Sequence, residues 1–332
     1  MKKVIIVIFL ATLPLTLHAG LRDDSIPKIT EEINVRELLP LLKMGTLVLI
    51  HKNEEGIEFA TGILHIKAPV KKVWETVIDY EAYKEYVPNM ESVSVVEKTT
   101  DTTWKVQYNL KFRVTSFFNT RITYYLQQHY KPYSEIWGVV SDSSKNVFSD
   151  VRFREYFIDD GNGNTIFVYT AYADLKSFGY LARIIYDAFP ELVTPTLVSV
   201  GTIYPEATKE RIEGVRLNYN PLEVRTDSIV IPDSLTGIPE EYVKKIPPKY
   251  RFILFHNPLP GGVRFATGIV YVNTSADTLY RILSDFEHYP EFISFVKKTR
   301  VLNNNGNNFS VRYNLSFRVI IPVDIDYTLN YN

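Results

Sequence analysis

Gly56-Ile57-Glu58-Phe59-Ala60-Thr61-Gly62-Ile63 returns 206 residues later as Gly262-Val263-Arg264-Phe265-Ala266-Thr267-Gly268-Ile269. At that offset residues 56–91 match 262–297 at 10 of 36 positions, where ordinary residue frequencies give roughly two. Tyr108-Asn109-Leu110-Lys111-Phe112-Arg113-Val114 likewise returns as Tyr313-Asn314-Leu315-Ser316-Phe317-Arg318-Val319. The period is far longer than that of solenoid repeats, so the chain holds two copies of one domain. The first runs over residues 45–214. The second, 249–332, corresponds to the N-terminal half of the first, and its simplest reading is a copy that continues past Asn332. Residues 20–44 form an N-terminal segment. Residues 215–248, with Pro221, Pro232, Pro239, Pro247 and Pro248, read as a semi-extended linker.

Outward from the octapeptide, Thr46–Lys52 and Ile57–Lys67 read as a hairpin. Pro69 opens a helix, and Val70, Val73, Trp74, Val77 and Ile78 give it one apolar face. A short second helix is expected over Lys84–Met90. The period then changes to two. Trp104, Val106, Tyr108, Leu110, Phe112 and Val114 alternate with Lys105, Gln107, Asn109, Lys111 and Arg113, as in a strand with one apolar face. Ile122, Tyr124 and Leu126 start another strand, and more are expected near 134–140, 150–158 and 165–174. A helical stretch over residues 179–212 closes the copy, with Pro190, Pro195 and Pro205 breaking or kinking it. This order predicts an α+β domain, a curved antiparallel sheet covered by a long C-terminal helix. An apolar ligand cavity between the two layers is expected.

The inward face supplies the candidate site. Trp104, Tyr108, Phe112, Tyr124 and Phe153 form its apolar wall. Alternation carries Gln128 inward with Tyr124, Glu155 with Phe153 and Phe157, and Thr170 and Tyr172 with Ile166 and Val168. A carboxylate on an apolar wall is paired, at an open rim, or raised in pKa. Glu155 is therefore a head-group anchor or a general acid/base on the functional reading. On the structural reading it pairs with Arg152 or Arg113 or meets solvent. Tyr80, Tyr83 and Tyr86 read as packing residues that pin the short helices to the sheet.

Other chemistry is sparse. Lys+Arg is 37 against Asp+Glu 38, which leaves no basic excess for nucleic acid. Without cysteine there are no disulfides, thiolate catalysis or Cys-type zinc sites. The histidines show no metal-ligand spacing. His51 and His65 are expected to face one another across the first hairpin, but Tyr271 replaces the latter in the second copy, which speaks against a shared metal site. No cofactor motif appears. Lys2 and Lys3 precede an uncharged run from Val4 to Leu17, followed by Ala19. That is the order of a secretory signal peptide, so cleavage near Ala19 and a periplasmic or secreted location are expected.

Val73-Trp74-Glu75-Thr76-Val77-Ile78-Asp79-Tyr80-Glu81-Ala82-Tyr83-Lys84-Glu85-Tyr86-Val87-Pro88 resembles the helix 1–helix 2 signature of START-like (SRPBCC) domains, in particular the polyketide cyclase/dehydrase and coenzyme-Q-binding branch. The second copy keeps Asp285-Phe286-Glu287-His288-Tyr289-Pro290-Glu291-Phe292 but has Ser294 in place of Pro88. The resemblance implies the helix-grip fold, with the sheet wrapped round a long C-terminal helix and a ligand tunnel. It also implies a lipid, isoprenoid quinone or similar apolar molecule as partner, with transient membrane contact, or alternatively a cyclase/dehydratase-type reaction using Glu155 and tyrosines. The superfamily spans many activities, so function has to come from the site.

Overall fold

The computed structural model describes residues 25–113, 119–141, 146–217, 238–259, 263–306, 308–318 and 322–331. The expected leader lies outside them. The chain divides into two compact units at Val270/Tyr271, an α+β arrangement in which the larger unit contains the whole first copy.

In that unit α1 (Ile29–Glu32) and α2 (Leu39–Met44) lead into the hairpin β1 (Gly45–Lys52) and β2 (Glu58–Ile66). α3 (Val70–Ile78) and α4 (Tyr83–Tyr86) follow, then the meander β3 (Met90–Thr100), β4 (Thr103–Arg113), β5 (Asn119–Lys131), β6 (Glu135–Val140), β7 (Val151–Asp159) and β8 (Thr165–Ala173). α5 (Tyr180–Ala188) and α6 (Val193–Glu213) close the copy. After α7 (Glu240–Val243) come β9 (Arg251–His256) and β10 (Ala266–Ile269). The described strands of this unit form one antiparallel sheet in the order β10-β9-β1-β2-β8-β7-β6-β5-β4-β3.

That order moves the domain boundary. The first hairpin of the second copy, expected to open a separate domain at residue 249, is instead added to the β1 edge of the first. Leu47-Val48-Leu49-Ile50-His51 matches Phe252-Ile253-Leu254-Phe255-His256, and in the β1–β9 ladder Val48 stands opposite Ile253. Each strand thus pairs with its own repeat about a local two-fold axis. The linker is likewise used: its Ile246, with Tyr250 just beyond it, joins Ile29, Leu38 and Leu41 in an apolar layer over the outer face.

Over β1, β2 and β8 both faces of the sheet are therefore covered. Leu47, Leu49, Ile63, Ile166 and Val168 face the outer layer, while Val106, Tyr108, Leu126, Phe153, Phe157 and Phe167 face α3, α4 and α6. α6 approaches β2 closely because neither side has a side chain in the way. A Cβ on Gly62 would lie 2.3 Å from the Gly201 carbonyl oxygen. Pro205 is accommodated inside α6 instead of ending it, where it removes one backbone hydrogen bond. Arg264, just ahead of β10, donates to both carboxylate oxygens of Glu206 on α6 at 2.8 and 2.5 Å, and both side chains are buried. The second copy's hairpin thus holds the helix one residue beyond its proline.

The smaller unit contains α8 (Ala276–Ser284), α9 (Tyr289–Phe292), β11 (Val296–Asn305), β12 (Asn308–Arg318) and β13 (Pro322–Tyr331), the three strands pairing in that order. It repeats details of the first copy. Tyr289 donates to the Leu283 carbonyl at 2.6 Å as Tyr83 does to that of Val77. Tyr313 stacks on Tyr327 as Tyr108 does on Tyr124. Phe286, Val296, Val311 and Tyr313 are buried, whereas Tyr280, Leu283, Ile325 and Leu329 are exposed.

Candidate functional site

Alternation along β4, β5 and β7 brings Trp104, Tyr108, Tyr124, Gln128, Phe153 and Glu155 to the side of the sheet that α6 covers. The Trp104 and Tyr130 rings lie 4.4 Å apart, and Tyr108 and Tyr124 stack at 5.1 Å. Phe112 lies on β4, but its side chain is outside what the structure describes. Thr170 and Tyr172 are placed differently from the sequence expectation. They point to the outer face, where Thr170 hydrogen-bonds Thr61 at 2.9 Å and Tyr172 packs on Phe59. The inward residues of β8 are Phe167, Tyr169 and Ala171, with Tyr169 directly opposite Glu155.

Two hydrogen-bonded groups occupy the interior. In one, Gln128 Oε1 accepts from Tyr80 at 2.7 Å and from Tyr130 at 2.5 Å, while Gln128 Nε2 donates to Tyr108 at 2.6 Å. All four side chains are buried, and their mutual satisfaction is what makes a polar cluster tolerable there. In the other, Tyr83 donates to the Val77 carbonyl at 2.6 Å and contacts Tyr204 of α6 at 2.9 Å, and the Tyr204 hydroxyl lies near the Glu155 carboxyl. Tyr80 and Tyr83 thus pin the short helices, as expected, and are also members of these groups.

Glu155 is 4% exposed. Loss of hydration pushes its carboxyl up to about 8, opposed by the nearby Tyr204 hydroxyl. Arg152, the expected partner, points to the opposite face and pairs with Asp150 and Glu55. The Arg113 side chain lies outside the described residues. Burial also raises Tyr83, Tyr108, Tyr169 and Tyr204 well above the usual phenol value. The interior around Glu155 is therefore uncharged at neutral pH. Glu155 Oε2 and the Trp104 indole nitrogen are buried without a hydrogen-bond partner among the described residues.

The remaining polar candidates have structural partners. His51 lies opposite Phe59, not His65, and bonds Thr61 at 2.9 Å. His65 meets Asp160 at 3.0 Å. His256 bonds Thr267 at 2.8 Å, a second instance of the His51–Thr61 pair. Among the described residues no group of three His, Asp or Glu side chains is placed to hold a metal ion, and no helix is long and apolar enough to cross a membrane.

Sequence reasoning missed Tyr204 and Tyr169. For Tyr204 the usable signal was spacing, since Val200, Tyr204 and Thr208 recur at helical intervals on one side of α6. Ile203, one residue before Tyr204, is exposed.

Residues 66–142 and 272–323 match the family model described as polyketide cyclase / dehydrase and lipid transport. One match falls in each copy. Among solved structures the chain is similar to the Zhui aromatase/cyclase from Streptomyces sp. R1128, at 16% identity and a TM-score of 0.37, covering 47% of this chain and 93% of that one. It is also similar to a STAR-related lipid transfer protein from Xanthomonas axonopodis, at 14% identity and a TM-score of 0.37, covering 50% and 93%. The di-domain ARO/CYC BexL from the BE-7585A biosynthetic pathway covers 81% of this chain and 70% of its own, at 10% identity and a TM-score of 0.32. No curated protein matches the chain.

Proposed function

We propose that the first copy holds an apolar small molecule or lipid between the sheet and α6, as an exported carrier or sensor. The observation that carries this reading is the polar equipment of an otherwise apolar interior. Buried, uncharged hydroxyl and carboxyl groups there include one carboxyl oxygen left without a partner among the described residues, which suits a ligand with an apolar body and a small polar group. The match to a family whose description includes lipid transport supports the same class of ligand. Export, suggested by the N-terminal leader, fits the role, because an apolar cargo in an aqueous compartment needs a water-excluding site.

Because β9 and β10 extend the sheet, the whole chain is the object to test. Purified from an exporting host and extracted with organic solvent, it is expected to release a near-stoichiometric apolar compound, identified by mass spectrometry beside an unrelated exported protein. Phe153→Asp, which places a carboxylate on the buried face, is expected to abolish this retention while export continues. Equal ligand content in a folded Phe153→Asp protein would overturn the assignment.

One observation favours a second reading. A buried carboxyl with its pKa pushed up to about 8, beside a tyrosine, is suited to proton transfer near neutral pH. A cyclase/dehydratase-type enzyme would use Glu155 as general acid/base with Tyr204 beside it. That reading requires turnover of a cyclisable substrate that Glu155→Gln eliminates, and product formation unchanged in Glu155→Gln would exclude it.

A further inference from the structure

The duplicated octapeptide reverses one charge. Glu58 of the first copy stands where the second has Arg264, and both side chains reach α6. Glu58 accepts from Thr194 at 2.7 Å, near the start of the helix, and pairs with Arg251. Arg264 meets Glu206, which lies about 18 Å further along the helix axis. A glutamate kept at that place would set two carboxylates against each other. The second copy's hairpin therefore carries the charge that the first copy's helix needs.

The guanidinium of Arg264 is used completely. Its Nε donates to the His256 carbonyl at 3.0 Å. One terminal nitrogen donates to Glu206 Oε2 at 2.8 Å and to the Leu217 carbonyl at 3.4 Å. The other donates to Glu206 Oε1 at 2.5 Å and to Thr46 Oγ1 at 3.3 Å. Five N–H donors thus meet five acceptors, on β9, α6, the segment after α6, and β1. Lysine, with three donors and no planar fork, cannot make this set. Because the pair with Glu206 is bidentate, it fixes the orientation of that turn of the helix as well as its distance.

The orientation matters at the neighbouring turn. Pro205 has no N–H to close the helical ladder, so α6 is interrupted between Tyr204 and Glu206. The Tyr204 hydroxyl lies 2.9 Å from that of Tyr83, and its ring lies 5.1 Å from that of Tyr169, the residue opposite Glu155 in the β7–β8 ladder. We propose that Arg264 is a positioning residue for the interior of the first copy. Through Glu206 it sets the turn of α6 that holds Tyr204 against Tyr83 and Tyr169, and the second copy thereby shapes a site that it does not line. The effect on ligand binding rests on the apolar-ligand reading, whereas the positioning itself does not.

The test uses the full chain. Removing Arg264 alone would leave a buried carboxylate unpaired, so Arg264→Met is combined with Glu206→Met. Exchange of both members of a buried ion pair for apolar groups is commonly neutral or stabilising, and the urea midpoint is expected to stay at or above that of the parent. Amide hydrogen exchange, read by mass spectrometry, should nevertheless be about tenfold faster across residues 201–209 and unchanged in β6 and β7. N-phenyl-1-naphthylamine, an uncharged apolar fluorophore, should bind about tenfold more weakly to the double variant. Tyr204→Ala should weaken binding in the parent and add little in the double variant. Arg251→Gln, which breaks the more exposed pair at the other end of the helix, is the control and should leave both readouts as in the parent. Unchanged exchange across 201–209 in the folded double variant would overturn the proposal, as would a Tyr204→Ala effect of full size in both backgrounds. A parent chain that does not bind the fluorophore would remove the apolar-ligand reading, and the exchange measurement would still decide the positioning. If the double variant does not fold, Arg264→Lys, which keeps the charge beside Glu206 and loses the fork, carries the same comparison.

Discussion

Glu155→Gln is expected to make the protein more stable, by an amount that grows with pH. An ordinary glutamate has a pKa near 4.5, whereas burial holds this one at about 8 in the folded chain. Between those values the folded state binds a proton that the unfolded state has released, so stability falls as pH rises through the interval. Above pH 8 the folded protein must either carry a buried carboxylate or rearrange. Each pKa unit corresponds to about 1.4 kcal/mol, which puts the full penalty on the order of 3–5 kcal/mol. Glutamine keeps the shape and cannot ionise. Urea denaturation at pH 5, 7 and 9 should therefore show the two proteins nearly equal at pH 5 and the variant ahead by several kcal/mol at pH 9. A variant that is no more stable than the parent at pH 9 would mean that Glu155 is ionised and solvated in the native protein.

Gly62→Val should be close to the most damaging single change in the first copy. Backbone dihedrals are not the reason, because Gly62 is ordinary strand. The reason is contact: its first side-chain carbon would sit 2.3 Å from the Gly201 carbonyl oxygen, with Pro205 close by at 3.6 Å. Neither neighbour is a flexible tip that could swing aside, so α6 must lift off β2. Overpacking of a well-filled core costs roughly 1–3 kcal/mol, and more where backbone has to move. We expect a loss above about 3 kcal/mol, or no recoverable folded protein. Any folded remainder should also lose the Tyr204–Glu155 contact, and with it the ligand. Gly56→Ala is the control. That residue has φ +78° and open space where a Cβ would stand, with nothing within 4 Å, so the strain is local, about 1 kcal/mol. Equal stability of the two variants by urea denaturation would show that α6 does not rest on β2 through the glycine pair.

The repeat and the alternating strands made most of this architecture legible. Trp104, Tyr108, Tyr124, Gln128 and Glu155 share the inward face because β4, β5 and β7 alternate cleanly or carry one conspicuous polar residue among aromatics. β8 was different. Thr165-Ile166-Phe167-Val168-Tyr169-Thr170-Ala171-Tyr172-Ala173 has large apolar residues at both phases, because the N-terminal segment and residues 238–250 cover its outer side. A strand buried on both faces gives no sign of which face is inward, and Thr170 and Tyr172 were misplaced for that reason. The partner of Glu155 was hidden for another reason. Tyr204 lies in a helix that contains two prolines, where a one-residue error in phase exchanges the buried side for the wet one. The placement of β9 on β1 was beyond a reading of pattern alone, since the repeat suggested two separate domains and edge pairing leaves no mark in the alternation.

The ladder between β1 and β9 also has a place in time. When a ribosome has made β1, the strand that will lie beside it is still about 200 residues away, which at 5–20 residues per second is a delay of about 10–40 s. Through that interval the first copy can close its own meander and receive α6, but one long edge stays open. The open strand is matched to its own repeat about Val48, so a second nascent chain on the same message presents a surface of the same register. The duplication therefore gives each chain a tethered copy of the strand that a neighbour would otherwise supply. Tethering raises the effective concentration of the correct partner over any other, and the linker's arrival decides whether the edge is sealed within one molecule or between two.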